Sequence, residues 1–160
     1  MPQPDETPIL LCYDGSEGSH RAIDTTAALF PGRAAVVLNV WSPMAVIAAL
    51  YGGVVAIPEN NDDSGLREAA TQKAQEGADR ATAAGLSAKA QTAEVTYEGT
   101  WHTILAAADE CDATLIVLGA RGLSTFKSIV LGSVSHGVAQ HARRPVLIVP
   151  PSASAASGNA

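Results

Sequence analysis

Five short apolar runs, Pro8–Tyr13, Ala34–Val40, Ala90–Tyr97, Thr114–Leu118 and Val146–Val149, alternate along this chain with segments of helical periodicity. That alternation is the signature of a parallel sheet, because each strand reaches the next through a crossover helix that must cover a face of the sheet. The first, second, fourth and fifth runs are continuously apolar, as strands buried on both faces require. The expected fold is a three-layer α/β sandwich around a five-stranded parallel sheet.

Helix signals fill the intervals. Gly18–Leu29 places Ala22, Ile23 and Ala27 on one stripe and stops at Pro31-Gly32. Leu66–Ala84 is rich in Ala, Glu, Gln and Lys, sets Ala70, Ala74, Ala78 and Ala81 on one face, and stops at Gly85. Thr100–Glu110 and Ser133–His141 carry Ile104, Leu105 and Ala108, and Val134 and Val138, at helical spacing. The segment from Ser42 to Gly65, with Pro43, Gly52-Gly53, Pro58 and an acidic-amide cluster, is too long for a tight connection and reads as a lid or a mobile insertion. Residues 1–6 and 151–160 read as disordered tails around a single domain at 7–150.

With 47% hydrophobic but only 4% aromatic residues, the core must be built from closely packed Ala, Val, Leu and Ile. A net charge of −6 argues against broad nucleic-acid binding, which needs a surplus of Lys and Arg, but leaves room for a small anion in a local backbone nest. No apolar run approaches membrane-span length, and the first seven residues lack the basic start and apolar middle of a signal peptide, so a cytoplasmic protein is expected. Cys12 and Cys111 show no metal or redox spacing and read as buried free thiols; His136 and His141 are five apart, not the one-turn spacing of paired ligands.

Two stretches carry chemistry. Asp14-Gly15-Ser16-Glu17-Gly18-Ser19 follows the first strand directly, at the carboxyl edge where open α/β sheets hold their ligands. By itself it reads equally as a strand-to-helix turn with Ser16 or Ser19 as cap. The second stretch is Gly119-Ala120-Arg121-Gly122, nine residues without glycine, then Gly132-Ser133. A glycine turn after a buried strand lets backbone approach a polyanion, and a second glycine opening a helix aims free N–H groups at the same point. The closing Gly-Lys-Ser/Thr of a P-loop is absent, and so is the GxGxxG of a dinucleotide fold.

The spacing Gly-x2-Gly-x9-Gly-Ser resembles the ATP-binding branch of the universal stress protein family. The Asp14-Gly15-Ser16 strand end, Leu38-Asn39-Val40, the run Leu115–Gly122 and Arg144–Pro150 resemble the same family, in order, over residues 7 to 150. The resemblance implies strand order 3-2-1-4-5 and an ATP site, with Mg²⁺ as a possible companion of the nucleotide. It implies phosphate contacts from Gly119, Ala120, Arg121, Gly122, Ser124, Gly132, Ser133, Val134 and Ser135. Asp14 then lies near ribose and phosphates, where a carboxylate is tolerable if it accepts from a ribose hydroxyl or shares a divalent cation. Cys12 falls in the pocket floor and the Val40 backbone reads the adenine edge. Trp41 either stacks on the base or shields the core, and shielding is favoured.

Helix-terminus contacts of about 0.3–1 kcal/mol each, up to about 2 when partly buried, together with adenine burial are compatible with the roughly 8 kcal/mol of micromolar affinity. A base poised to activate water is not apparent in the sequence. The favoured reading is a nucleotide-binding regulatory protein, dimeric through Val146–Val149. The alternatives are a slow ATPase or a protein self-phosphorylating at Ser124, Thr125, Ser128 or Ser133, and a ligand-free interaction module.

Overall fold

A computed structural model describes residues 7–50, 62–121 and 131–152. The N-terminal tail, most of the C-terminal tail, the middle of the 42–65 segment, and Gly122, Ser124, Thr125 and Ser128 lie outside the described residues. The element order is β1 (Ile9–Cys12), α1 (Glu17–Leu29), β2 (Ala34–Trp41), α2 (Met44–Leu50), α3 (Ser64–Ala83), β3 (Ser87–Glu94), α4 (Thr100–Glu110), β4 (Leu115–Gly119), α5 (Ser133–His141) and β5 (Val146–Val149). The five strands are all parallel, in the order β3-β2-β1-β4-β5.

The pleat divides the core in two. Ile9, Leu11 and Tyr13 of the β1 segment face one way with Val37 and Val117, and meet Ala22, Ile23 and Ala27 of α1 and Ala78 and Ala81 of α3. Leu10, Val36, Leu38, Ile116 and Leu118 face the other way and meet Ile104, Ala107 and Ala108 of α4 and Val138 of α5. Continuous apolar runs in β1, β2 and β4 are thus explained, since each alternate residue has its own helical layer to fill. On α3 the buried stripe is Ala70, Ala74, Gly77, Ala78 and Ala81, all small, which lets the helix lie close on β2 and β3.

Two elements differ from expectation. β3 spans Ser87–Glu94 rather than Ala90–Tyr97, because its bounds are set by pairing: Ala34 to Trp41 of β2 run in register with Ser87 to Glu94. Polar Lys89 and Gln91 are tolerated at this sheet edge, where one side of the strand is open. α2 was not foreseen; its first amide, Met44 N, donates to Asp63 Oδ1 at 2.9 Å, tying the start of α2 to the start of α3. Trp41 is buried and lies under the Arg67 guanidinium, 5.5 Å from its ring centroid, so it shields the core. No helix among the described residues is long and apolar enough to cross a membrane.

Candidate functional site

The carboxyl edge of the sheet opens where β1 stops before its neighbours do. Tyr13 N donates to Leu38 O at 2.8 Å as the last backbone–backbone bond between the β1 and β2 segments, and the chain then turns away. Ser16 N donates to Asp14 Oδ1 at 2.9 Å, and Gly15 takes φ +80°, a conformation costly for side-chain-bearing residues. Ser16 is the α1 cap: its Oγ accepts Ser19 N at 3.2 Å, while Ser19 Oγ donates to Ser16 O at 2.8 Å. Asp14–Ser19 is therefore a capped strand-to-helix turn, and the turn also lines the site.

β1's departure leaves Val40 with nothing to pair on that side. Leu38 directs its backbone groups toward β1, and in an extended strand residue i+2 directs its own the same way. The N–H and C=O of Val40 consequently face the gap beyond the end of β1. Asn39 points its backbone toward β3 and spends its side chain holding β1's end, Nδ2 donating to Tyr13 O at 2.8 Å.

On the other side of the gap, β4 ends at Gly119 against the first turn of α1. A Cβ at Gly119 would lie 2.8 Å from the carbonyl carbon of Gly18, and one at Gly18 would lie 2.6 Å from Arg121 O. Two backbones meet there without side chains between them. Beyond, Gly132 N donates to Ala120 O at 2.9 Å, bringing together the two halves of the glycine pattern. Gly132 then caps α5 with no side-chain hydrogen bond, so the first-turn amides of Ser133, Val134 and Ser135 have neither intrahelical acceptor nor capping oxygen.

These parts enclose a cleft of about 290 Å³. Cys12, Asp14, Val40, Gly119, Arg121, Gly132, Ser133, Val134 and Ser135 line it. Two expected phosphate contacts have other work. Ala120 is not in the lining; its N–H donates to Val149 O at 2.8 Å and its carbonyl accepts from Gly132, so it is a structural strap. Ser135 Oγ lies against Ala120 O at 2.9 Å and Gly132 O at 3.0 Å, so its proton joins the two halves of the cradle. Gly122 and Ser124 lie outside the described residues.

Sequence reasoning missed Leu38, Leu118, Thr100 and Ile104, which supply the apolar walls. Leu38 and Leu118 were legible as strand positions on Cys12's face. Thr100 and Ile104 carry no local signal, because only the packing of α4 brings them over β2. Gly18, quoted only as part of a turn, proves a close-approach glycine like Gly119.

Acid–base behaviour in the floor is inert. Burial pushes the Cys12 thiol up to about 12, with Asp14's charge adding in the same direction, so the thiol stays protonated at neutral pH. Burial, then the hydrogen bond its hydroxyl donates to Glu76 Oε1 at 2.7 Å, pushes Tyr13 up to about 12.

A cleft of this construction, at this edge of a 3-2-1-4-5 sheet, can be compared with known proteins. The model of the universal stress protein family matches residues 7–150. The chain belongs to the universal stress protein family. The universal stress protein YxiE of Bacillus subtilis (strain 168) is 36% identical over 145 residues, covering 88% of this chain and 97% of that protein. A universal stress protein solved in complex with cAMP shares 27% identity and superposes with a TM-score of 0.59, over 92% of this chain and 99% of the other. The protein MJ0577 superposes with a TM-score of 0.72 at 22% identity, over 93% of this chain and 99% of its own, a likeness of fold. The universal stress protein fold thus accounts for the strand order.

Proposed function

We propose that this universal stress protein binds an adenine nucleotide in the cleft, ATP with or without Mg²⁺, and acts as a nucleotide-responsive regulator assembled as a homodimer through β5. One observation carries the reading: the cleft has an unpaired backbone N–H and C=O at Val40 at one side and an uncapped helix N-terminus at Gly132–Ser135 at the other. Unpaired backbone groups in a largely apolar cleft are costly until a ligand meets them. Adenine presents an N6–H donor beside the N1 acceptor, the complement of a strand C=O and N–H; guanine presents O6 and N1–H in the opposite sense. The α5 amides and the partial positive charge of the helix terminus suit phosphate oxygens. Asp14, between the two ends, suits a ribose hydroxyl or a Mg²⁺ shared with the phosphates. The relative solved with cAMP supports an adenine nucleotide as the ligand class.

The test is calorimetric titration of the folded protein with ATP, ADP, cAMP and GTP, with mass spectrometry of whatever denaturation releases. Micromolar binding of an adenine nucleotide and at least tenfold weaker binding of GTP are expected. A Cβ at Gly132 would stand 3.5 Å from its nearest neighbour, Ala120 O, an ordinary contact, so Gly132→Ala is accommodated in the fold while adding a methyl to the cradle. Unchanged nucleotide affinity in that variant, or no adenine affinity in the parent, refutes the site.

A further inference from the structure

Lys73 lies on α3, outside the residues that line the cleft, and its surroundings steer it toward that cleft. Its neighbours one turn away are Ala69, Ala70, Glu76 and Gly77, and the one large side chain among them, Glu76, is held by the Tyr13 hydroxyl. Gly77 carries the Tyr13 ring, since a Cβ there would meet Tyr13 Cδ1 at 2.7 Å. One turn earlier on the helix, Lys73 is therefore level with the residues that follow Tyr13. Its Nζ lies 2.9 Å from the position a Gly15 Cβ would occupy, while Cδ and Cε lie at 3.8 and 3.9 Å, so the arm ends on the turn whose flanking residues Asp14 and Ser16 line the cleft.

The acids nearby are engaged elsewhere. Glu76, three residues on, accepts the Tyr13 hydroxyl at 2.7 Å, and Asp14 Oδ1 accepts Ser16 N at 2.9 Å. Lys73 makes none of the ion pairs found among the described residues. Half-buried Lys73 thus ends on the turn of a chain of net charge −6, a turn whose acids Asp14 and Glu17 both repel a polyphosphate.

We infer that Lys73 is the cation that reads the phosphate chain across the Gly15 turn and sets the preference for polyphosphorylated over unphosphorylated ligands. The inference rests on the reading of the cleft as a nucleotide site. Lys73 acts through charge at short range, without the backbone-amide contacts supplied by α5. Gly15 suits the turn by its φ of +80°, and its lack of a Cβ lets the Lys73 arm lie against the backbone.

The experiment compares ATP and adenosine binding by calorimetry in the parent, Lys73→Met and Lys73→Glu, at low and high salt, with thermal unfolding as a check on folding. Lys73→Met is expected to weaken ATP about tenfold at low salt, the scale of one unit charge a few ångströms away in a partly wet medium, and to leave adenosine unchanged. Lys73→Glu should weaken ATP further, and both differences should shrink at high salt. Parallel loss of ATP and adenosine, or ATP affinity indifferent to the charge at position 73, overturns the inference. If the parent binds neither ligand, the nucleotide reading has failed by itself. Titration with inorganic triphosphate then decides Lys73: weaker binding to Lys73→Met sustains it, and equal or absent binding in both proteins overturns it.

Discussion

Replacing Gly77 by Ala sets two physical effects of opposite sign against each other. Gly77 sits in the middle of the 20-residue helix α3, where Gly→Ala alone stabilises by about 1 kcal/mol through backbone entropy and propensity. In the folded protein the added methyl would stand 2.7 Å from Tyr13 Cδ1 and Cγ and 2.8 Å from Val37 Cγ1. Neither neighbour can retreat easily: Tyr13 is 2% exposed with its hydroxyl tied to Glu76, and Val37 is fully buried in a central strand. Overpacking costs about 1–3 kcal/mol, and two rigid neighbours place this site in the upper half of that range. The net expectation is destabilisation by about 1–2 kcal/mol, or a fall of about 2–8 °C in Tm for a domain of this size. Urea unfolding followed by circular dichroism measures it, with an unchanged m-value showing that the denatured state is not the cause. Gly65→Ala is the control: no atom lies within 4 Å of its Cβ position, so only the mild helix gain is expected. A Gly77→Ala variant more stable than the parent would show that the helix–sheet contact is looser than the distances state.

Two further outcomes follow from the site and the sheet edge. Cys12 and Tyr13 hold their protons up to about 12 in the folded chain, against ordinary values of 9.0 and 10.0, so the unfolded chain releases them first as pH rises. Their contribution to stability is therefore complete below about pH 9 and is lost progressively toward about pH 12; the urea midpoint should fall between pH 8 and 10.5, less steeply in Tyr13→Phe, and a midpoint rising over that range contradicts the assignment. At the sheet edge, Pro145 O and Val149 O both accept bonds from the β4 side, so Val146 and Ile148 direct their N–H groups outward. Ile148→Pro deletes one outward donor and spares the bonds to β4; light scattering should find the parent dimeric at micromolar concentration and this variant shifted to monomer, and a monomeric parent refutes dimerisation through β5.

Much of the site was legible because its parts are local. Asp14 through Ser19 is a turn whose residue types state their own geometry: a short acid to accept Ser16 N, a glycine for positive φ, and a serine to cap α1. Gly119 and Gly132 were legible for the same reason. The spacing did not reveal that Ala120 and Ser135 would be consumed holding the cradle together. Their hydrogen bonds run to Val149 and Gly132, and such long-range closure leaves no trace in a linear pattern. Thr100, Ile104 and Lys73 were illegible likewise, since the first two reach the cleft, and the third the Gly15 turn beside it, from helices whose positions are decided by packing against the sheet.

Periodicity alone determined that this chain is a parallel sheet with helices on both faces, because continuous apolar strands and singly striped helices admit few other ways to bury their surfaces. It also located four of the strands and all of the long helices. Tertiary structure decided the rest. β3's bounds follow from its register with β2, since an open edge relaxes the demand for apolar residues. The cleft exists because β1 ends opposite Leu38 while β2 runs on to Trp41, leaving the Val40 backbone unpaired. Strand length relative to a neighbour is a property of the pair, and a single sequence read residue by residue does not contain it.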